Sequence, residues 1–171
     1  TPYYFALEVI DEASNVSDLS NTDGAVTAPP GGGSPGATHL VISQLQVAGD
    51  GGTPADDEFI EIYNPTASGV SLGGMSVQYK SASGTTYLAV ALPSFTLQSH
   101  GWYLIARSAY NGAPAADLGN TAFLMAGTGG NVFLVSGASP LPSSSCSASA
   151  LIIDRLGYGS GNCSETSASA A

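Results

Sequence analysis

From Thr38 onward the chain is a series of short runs in which apolar and polar residues alternate, and no window holds a helical period for more than two turns. That period-two texture constrains the fold more than any other feature. The run Glu58-Phe59-Ile60-Glu61-Ile62-Tyr63 shows it best: Phe59, Glu61 and Tyr63 must face one way and Glu58, Ile60 and Ile62 the other. The turn pair Asn64-Pro65 ends it. Similar runs span 39–47, 76–80, 86–91, 102–106, 131–135 and 150–156. Between them stand Ser83-Gly84, Ser99-His100-Gly101 and Gly127-Thr128-Gly129-Gly130. Short strands at such spacing predict an all-β sandwich or barrel.

The first 37 residues have a different character. Tyr3, Tyr4, Phe5, Leu7, Val9 and Ile10 make residues 1–12 an apolar segment of high β-propensity. Residues 13–37 follow as a Ser-, Asn-, Asp-, Pro- and Gly-rich stretch ending in Pro29-Pro30-Gly31-Gly32-Gly33-Ser34-Pro35-Gly36, which reads as a tether. Fully extended, a tether of this length reaches about 80 Å. Gly31-Gly32-Gly33 precedes neither a Lys nor a helix, so it is not a phosphate loop.

The chain carries 13 acidic residues against Lys80, Arg107 and Arg155, a net charge of −10. That balance opposes nucleic acid and anionic membrane surfaces as direct partners, because both require clustered Lys or Arg. No stretch approaches the roughly 18 apolar residues of a membrane span. The low charged fraction, the Gly/Ser/Thr-rich texture and a first residue other than Met point to a processed, exported, extracellular chain. Cys146 and Cys163 lack metal-site spacing. In an exported chain they are expected to form one disulfide, with two buried thiols as the alternative.

Residues that could carry chemistry are few. His39 opens a strand and His100 sits in a turn, and neither belongs to a Ser/His/Asp pattern. The carboxylates Asp50, Asp56, Asp57 and Glu58 fall in and beside one loop, the oxygen-rich setting calcium uses, though without EF-hand spacing. Solvated surface charge is the simpler account, and no cofactor is expected. Tyr79, Tyr87, Trp102, Tyr103 and Tyr110 are candidates for a carbohydrate platform; Trp102 and Tyr103 are adjacent, so one of them belongs to the core. Asn15-Val16-Ser17 and Asn162-Cys163-Ser164 match the N-glycosylation pattern.

Several of these stretches occur together in one family. Asp57-Glu58-Phe59-Ile60-Glu61-Ile62-Tyr63-Asn64-Pro65 resembles its signature strand, and Val70-Ser71-Leu72-Gly73-Gly74-Met75-Ser76-Val77 its next element, with Met75 where the family usually has Trp. Leu97 to Ile105, Gly130 to Val135 and Ile153 to Gly159 resemble the elements that follow, in order, and Cys146 and Cys163 bracket the last as in bacterial members. The chain from about residue 38 to 164 thus resembles the lamin-tail domain in its secreted bacterial form. The resemblance implies an immunoglobulin-like β-sandwich over 38–171 and no catalysis, since such domains usually accompany secreted enzymes or adhesion modules. Bacterial members usually continue beyond the second Cys into a closing strand, whereas Ser164–Ala171 holds no apolar run. An edge left open by that difference would accept another strand, and Tyr3–Ile10 is the candidate.

The sequence therefore leads to an extracellular structural subunit. It would polymerise with other copies of itself by donating the strand at 1–12 to a neighbour, forming a filament or surface fibre. The rival expectation is a non-catalytic accessory module of a larger secreted enzyme that binds glycan, a surface polymer or a protein. An enzyme in its own right has the least support.

Overall fold

The computed structural model describes residues 2–5, 23–26, 37–49, 53–119 and 123–165. The chain divides into two units, Thr1–Gly36 and Ala37–Ala171. In the first, β1 (Pro2–Phe5) pairs antiparallel with β2 (Asp23–Val26), Tyr3 opposite Ala25 and Tyr4 opposite Gly24. The segment read as a tether thus holds a strand, and the apolar run has a partner nearby in sequence. Asp23-Gly24-Ala25-Val26 carries turn residues and no apolar alternation, which is why it does not read as a strand. Leu7, Val9, Ile10 and the Asn15 sequon lie outside the described residues, as does most of 13–37.

The second unit starts with β3 (Val41–Gln46) and a single 3-10 turn at Pro54–Asp57. There follow β4 (Phe59–Tyr63), β5 (Val70–Ser71), β6 (Ser76–Ser81), β7 (Leu88–Ala91) and β8 (Thr96–Leu97). The last are β9 (Trp102–Ala106), β10 (Leu118–Gly119), β11 (Gly129–Val135) and β12 (Ile152–Gly159). They make two four-stranded sheets, ordered β10-β9-β4-β3 and β12-β11-β6-β7, and a small β5-β8 pair. All pairings are antiparallel except β10 on β9.

Strand alternation builds the core. Ile60, Ile62, Tyr103 and Ile105 point inward from the first sheet and belong to one apolar cluster with Val77, Val132, Leu134 and Tyr158 of the second. Each fully buried aliphatic side chain stabilises the fold by about 1.5–3 kcal/mol before ordering costs. Along β11 every residue is buried, because its second face is also covered. There Phe133 and Val135 pack with Tyr87, Leu141 and Cys163. Gln78 holds that cover down: its Oε1 accepts from the Leu141 N–H at 2.8 Å and its Nε2 donates to the Ser139 carbonyl at 2.9 Å. The Tyr87 hydroxyl accepts from the Ser147 N–H at 2.8 Å.

The last strand, β12, is an edge of its sheet, with β11 as its one strand partner among the described residues. β12 lies against β3, where Asp154 Oδ2 accepts the Ile42 N–H at 2.6 Å and joins the two sheets. At the other side of the sheet β7 is likewise an edge, paired with β6 alone among the described residues.

Candidate binding face

The outer face of the β4–β9 pair is where the alternation puts Phe59, Glu61 and Tyr63. Register sets Tyr63 opposite Trp102 and Glu61 opposite Leu104. Tyr63 and Trp102 stack with ring centroids 5.1 Å apart and planes 28° from parallel. The stack contributes about 0.5–1.5 kcal/mol beyond its buried area. Yet Trp102 remains 60 % exposed, whereas its neighbour Tyr103 is 3 % exposed and in the core. Tyr63 covers one indole face, and the rest of the ring meets solvent.

His100 extends this surface. Its Nδ1 lies 3.2 Å from the Tyr63 hydroxyl, and the two rings are 6.5 Å apart. Its backbone is left-handed, with φ of 57°, a conformation that costs a side-chain-bearing residue and suits glycine. Asn64 imposes the turn. The His100 N–H donates to the Asn64 carbonyl at 2.9 Å and the Asn64 N–H to the Gly101 carbonyl at 3.0 Å. The fully buried Asn64 amide donates to the carbonyls of Ser68, Leu97 and Gln98 at 2.9–3.0 Å. Its Oδ1 accepts from the Thr66 N–H and hydroxyl. One side chain thereby holds both loops that flank Tyr63 and Trp102.

Beyond the aromatic end the face turns polar. Glu61 Oε1 accepts from the Ser43 hydroxyl at 2.6 Å, and Gln44, opposite Glu61 on β3, is exposed. At the far end Phe59 meets the edge of Tyr110, with centroids 6.1 Å apart.

Of the five aromatics proposed for a carbohydrate platform, Trp102 alone is broadly exposed; Tyr79, Tyr87 and Tyr103 are buried and Tyr110 packs on Phe59. Tyr63 was missing from that set. The signal for it was present in the alternation of Phe59, Glu61 and Tyr63, but the partner strand was not. The acidic loop is dispersed. Asp56 pairs with Arg107 at 3.7 Å, and the Asp57 carbonyl accepts from Gln46 Nε2 at 3.0 Å. Glu58, 1 % exposed, accepts the Met125 N–H at 3.0 Å. Burial raises the Glu58 pKa, opposed by that N–H and by Arg107. Asp50 lies outside the described residues, among which no three His, Cys, Asp or Glu gather as metal ligands.

Cys146 and Cys163, expected to form a disulfide, lie close together as free cysteines. Cys163 Sγ donates to the Ser145 carbonyl at 3.2 Å instead. Burial, then the hydrogen bond with Cys146, pushes the Cys163 thiol up to about 11. His39 Nδ1 lies 2.9 Å from the Leu40 carbonyl, and among the described residues neither histidine is bonded to a carboxylate. A cleft of about 310 Å³ is lined by Arg155 and Glu165 with Ser147, Ala148, Ser149 and Ile152, a cation offset by an anion.

Two twisted sheets facing across one apolar layer, with an exposed aromatic stack on the outside, define an immunoglobulin-like β-sandwich that presents a surface. The chain belongs to the lamin-tail family: the Lamin Tail Domain model matches residues 34–160. This is a family of non-catalytic immunoglobulin-like domains. No curated protein matches the chain.

Proposed function

We propose that this chain is a non-catalytic recognition module of an exported protein, working through the Tyr63–Trp102 face. The observation that carries the reading is the 60 % exposure of a tryptophan already stacked on one side and seated beside a left-handed histidine. Large exposed aromatics backed by rigid strands are how binding surfaces gain contact at low entropy cost. The test is co-sedimentation of the full chain with washed bacterial cell walls and with collagen fibrils. Retention on either that is lost in Trp102→Ala supports the reading. Equal behaviour of the two proteins, whether bound or unbound, overturns it.

A second reading, assembly of copies by strand donation, draws on the β7 edge. That edge has no further strand among the described residues, and Leu88 on it is 40 % exposed. A donated strand would satisfy its free backbone groups. Since β1 already pairs with β2, the hairpin rather than a single strand would be donated. Negative-stain microscopy of the full chain and of a chain lacking residues 1–12 decides it: filaments from the former and monomers from the latter support donation, and monomers from both end it.

A further inference from the structure

We propose that the cleft lined by Arg155 and Glu165 is a second binding site, and that it takes a small zwitterion. Its ligand is a free amino acid or short peptide whose carboxylate meets Arg155 and whose ammonium meets Glu165. The cleft belongs to the sheet that does not carry the Tyr63–Trp102 face, so this site stands or falls apart from that one.

One stretch of chain builds the cleft. Ser147 and Ser149 come from the loop that leads into β12, Ile152 and Arg155 from β12 itself, and Glu165 from the segment that follows it. Period two separates the charges of the strand: Asp154 turns inward to the Ile42 N–H, and Arg155 turns outward. Arg155 lies opposite Phe133, which packs on the outer side with Tyr87 and Cys163. Hydrogen bonds fix the walls. The Ser147 N–H donates to the Tyr87 hydroxyl at 2.8 Å, and the Ser136 N–H donates to the Leu151 carbonyl at 2.8 Å. Two residues before Glu165, the Cys163 N–H donates to Asn131 Oδ1 at 2.8 Å. A site held in place beforehand spares its ligand much of the ordering cost of binding.

The two charges share the cleft without neutralising each other. Among the described residues neither side chain has an ion-pair partner, and the Arg155 guanidinium reaches Cys146 Sγ at 4.0 Å through Nη1. Most of its five N–H groups remain for a ligand. The hydroxyls nearby are half spent. Ser147 Oγ accepts from the Ser149 N–H and Ser149 Oγ from the Leu151 N–H, each at 3.2 Å, which leaves both O–H hydrogens to donate. A carboxylate therefore finds a cation and two hydroxyl donors, and an ammonium finds the Glu165 carboxylate. This pattern selects by charge. A plain anion is opposed by Glu165 and by the net charge of −10, and a plain cation by Arg155. A molecule bearing both charges is opposed by neither. Ile152 supplies an apolar patch for its carbon skeleton. At about 310 Å³ the cleft stands at the small end of the roughly 300–1,000 Å³ of small-molecule sites, which suits an amino acid or dipeptide.

The full chain is titrated with alanine, alanylalanine, N-acetylalanine and alaninamide, and binding is read by saturation-transfer NMR and calorimetry. Saturable binding of alanine or alanylalanine is expected, at least tenfold tighter than that of the two singly charged compounds. Tighter binding of alanine assigns free amino acids, and tighter binding of alanylalanine assigns peptides with both ends free. Arg155→Gln should weaken the zwitterion at least tenfold. Glu165→Gln, at an exposed position, should weaken the zwitterion while strengthening N-acetylalanine, a reversal that a misfolded chain would not produce. Leu124→Ala, at an exposed apolar residue outside the cleft, should change nothing. Silence with both zwitterions, equal binding of the singly charged compounds, or a Glu165→Gln chain with unaltered preference overturns the proposal.

Discussion

Replacing Asn64 tests whether one buried amide holds the binding face together. Its side chain serves three carbonyls and two donors of the loops on either side of Tyr63 and Trp102. In Asn64→Ala the buried Leu97 carbonyl loses its side-chain donor, a cost of about 1–3 kcal/mol for a group left unsatisfied. The other four partners are partly accessible and re-engage water, at about 0.5 kcal/mol each. The total is about 4 kcal/mol, a large part of the roughly 5–15 kcal/mol that holds an ordinary domain together. At roughly 4 °C per kcal/mol for a domain of this size, the midpoint falls by about 15 °C. Asn64→Asp sharpens the test. It keeps the volume and the acceptor for Thr66 but aims a carboxylate oxygen at the three carbonyls. It should be at least as destabilising as Ala at neutral pH and recover partly in acid, where a protonated carboxyl can donate. Urea unfolding followed by Trp102 emission reads stability with a reporter on the affected loops. If Asn64→Asp lies within about 1 kcal/mol of wild type, or above Asn64→Ala at neutral pH, the donated bonds are not what holds the turn.

Two further outcomes are expected. Burial raises the Glu58 pKa in the folded chain, so the folded state binds that proton more tightly than the unfolded one. Its stabilising contribution is therefore full below the unfolded value and lost as pH rises through the folded value. Glu58→Gln stays neutral and can still accept the Met125 N–H, so its stability relative to wild type should grow from about pH 4 to about pH 7; urea midpoints that move in parallel would contradict this. We also propose that Cys146 and Cys163, adjacent as thiols, close a disulfide when treated with glutathione disulfide, each losing one hydrogen as the oxidant is reduced. The bond should add about 3 kcal/mol by restricting the unfolded chain. Intact-mass spectrometry should show the loss of both hydrogens, and two thiols still titratable after treatment would refute it.

Much of the fold was legible because strand alternation is a local property. The run Trp102–Ala106 was read with the bounds the structure gives, and the inward set Ile60 and Ile62 follows from period two alone. The neighbouring runs differ at their ends. His39 and Leu40 precede β3, Thr86 and Tyr87 precede β7, and β12 continues to Gly159. These ends are set by partners. Tyr87, for instance, is spent on pinning the Ser147 loop. The two-residue strands β5, β8 and β10 were not read at all, since two residues carry no period and exist as strands through their neighbours.

The candidate face divides in the same way. From the sequence it follows that Tyr63 shares a face with Glu61 and that Trp102 and Tyr103 part company, because successive side chains on a strand point to opposite sides. Which of the two aromatics is buried follows from where the second sheet packs. That Trp102 lands on Tyr63 follows from the antiparallel register of β4 and β9. That Asn64, read as an ordinary turn residue, is a buried anchor for two loops follows from long-range hydrogen bonds. Periodicity is written residue by residue, and the sequence alone determined it. Register, covering layers and the partner of a buried amide depend on segments far apart in the chain, so only the tertiary structure decided them.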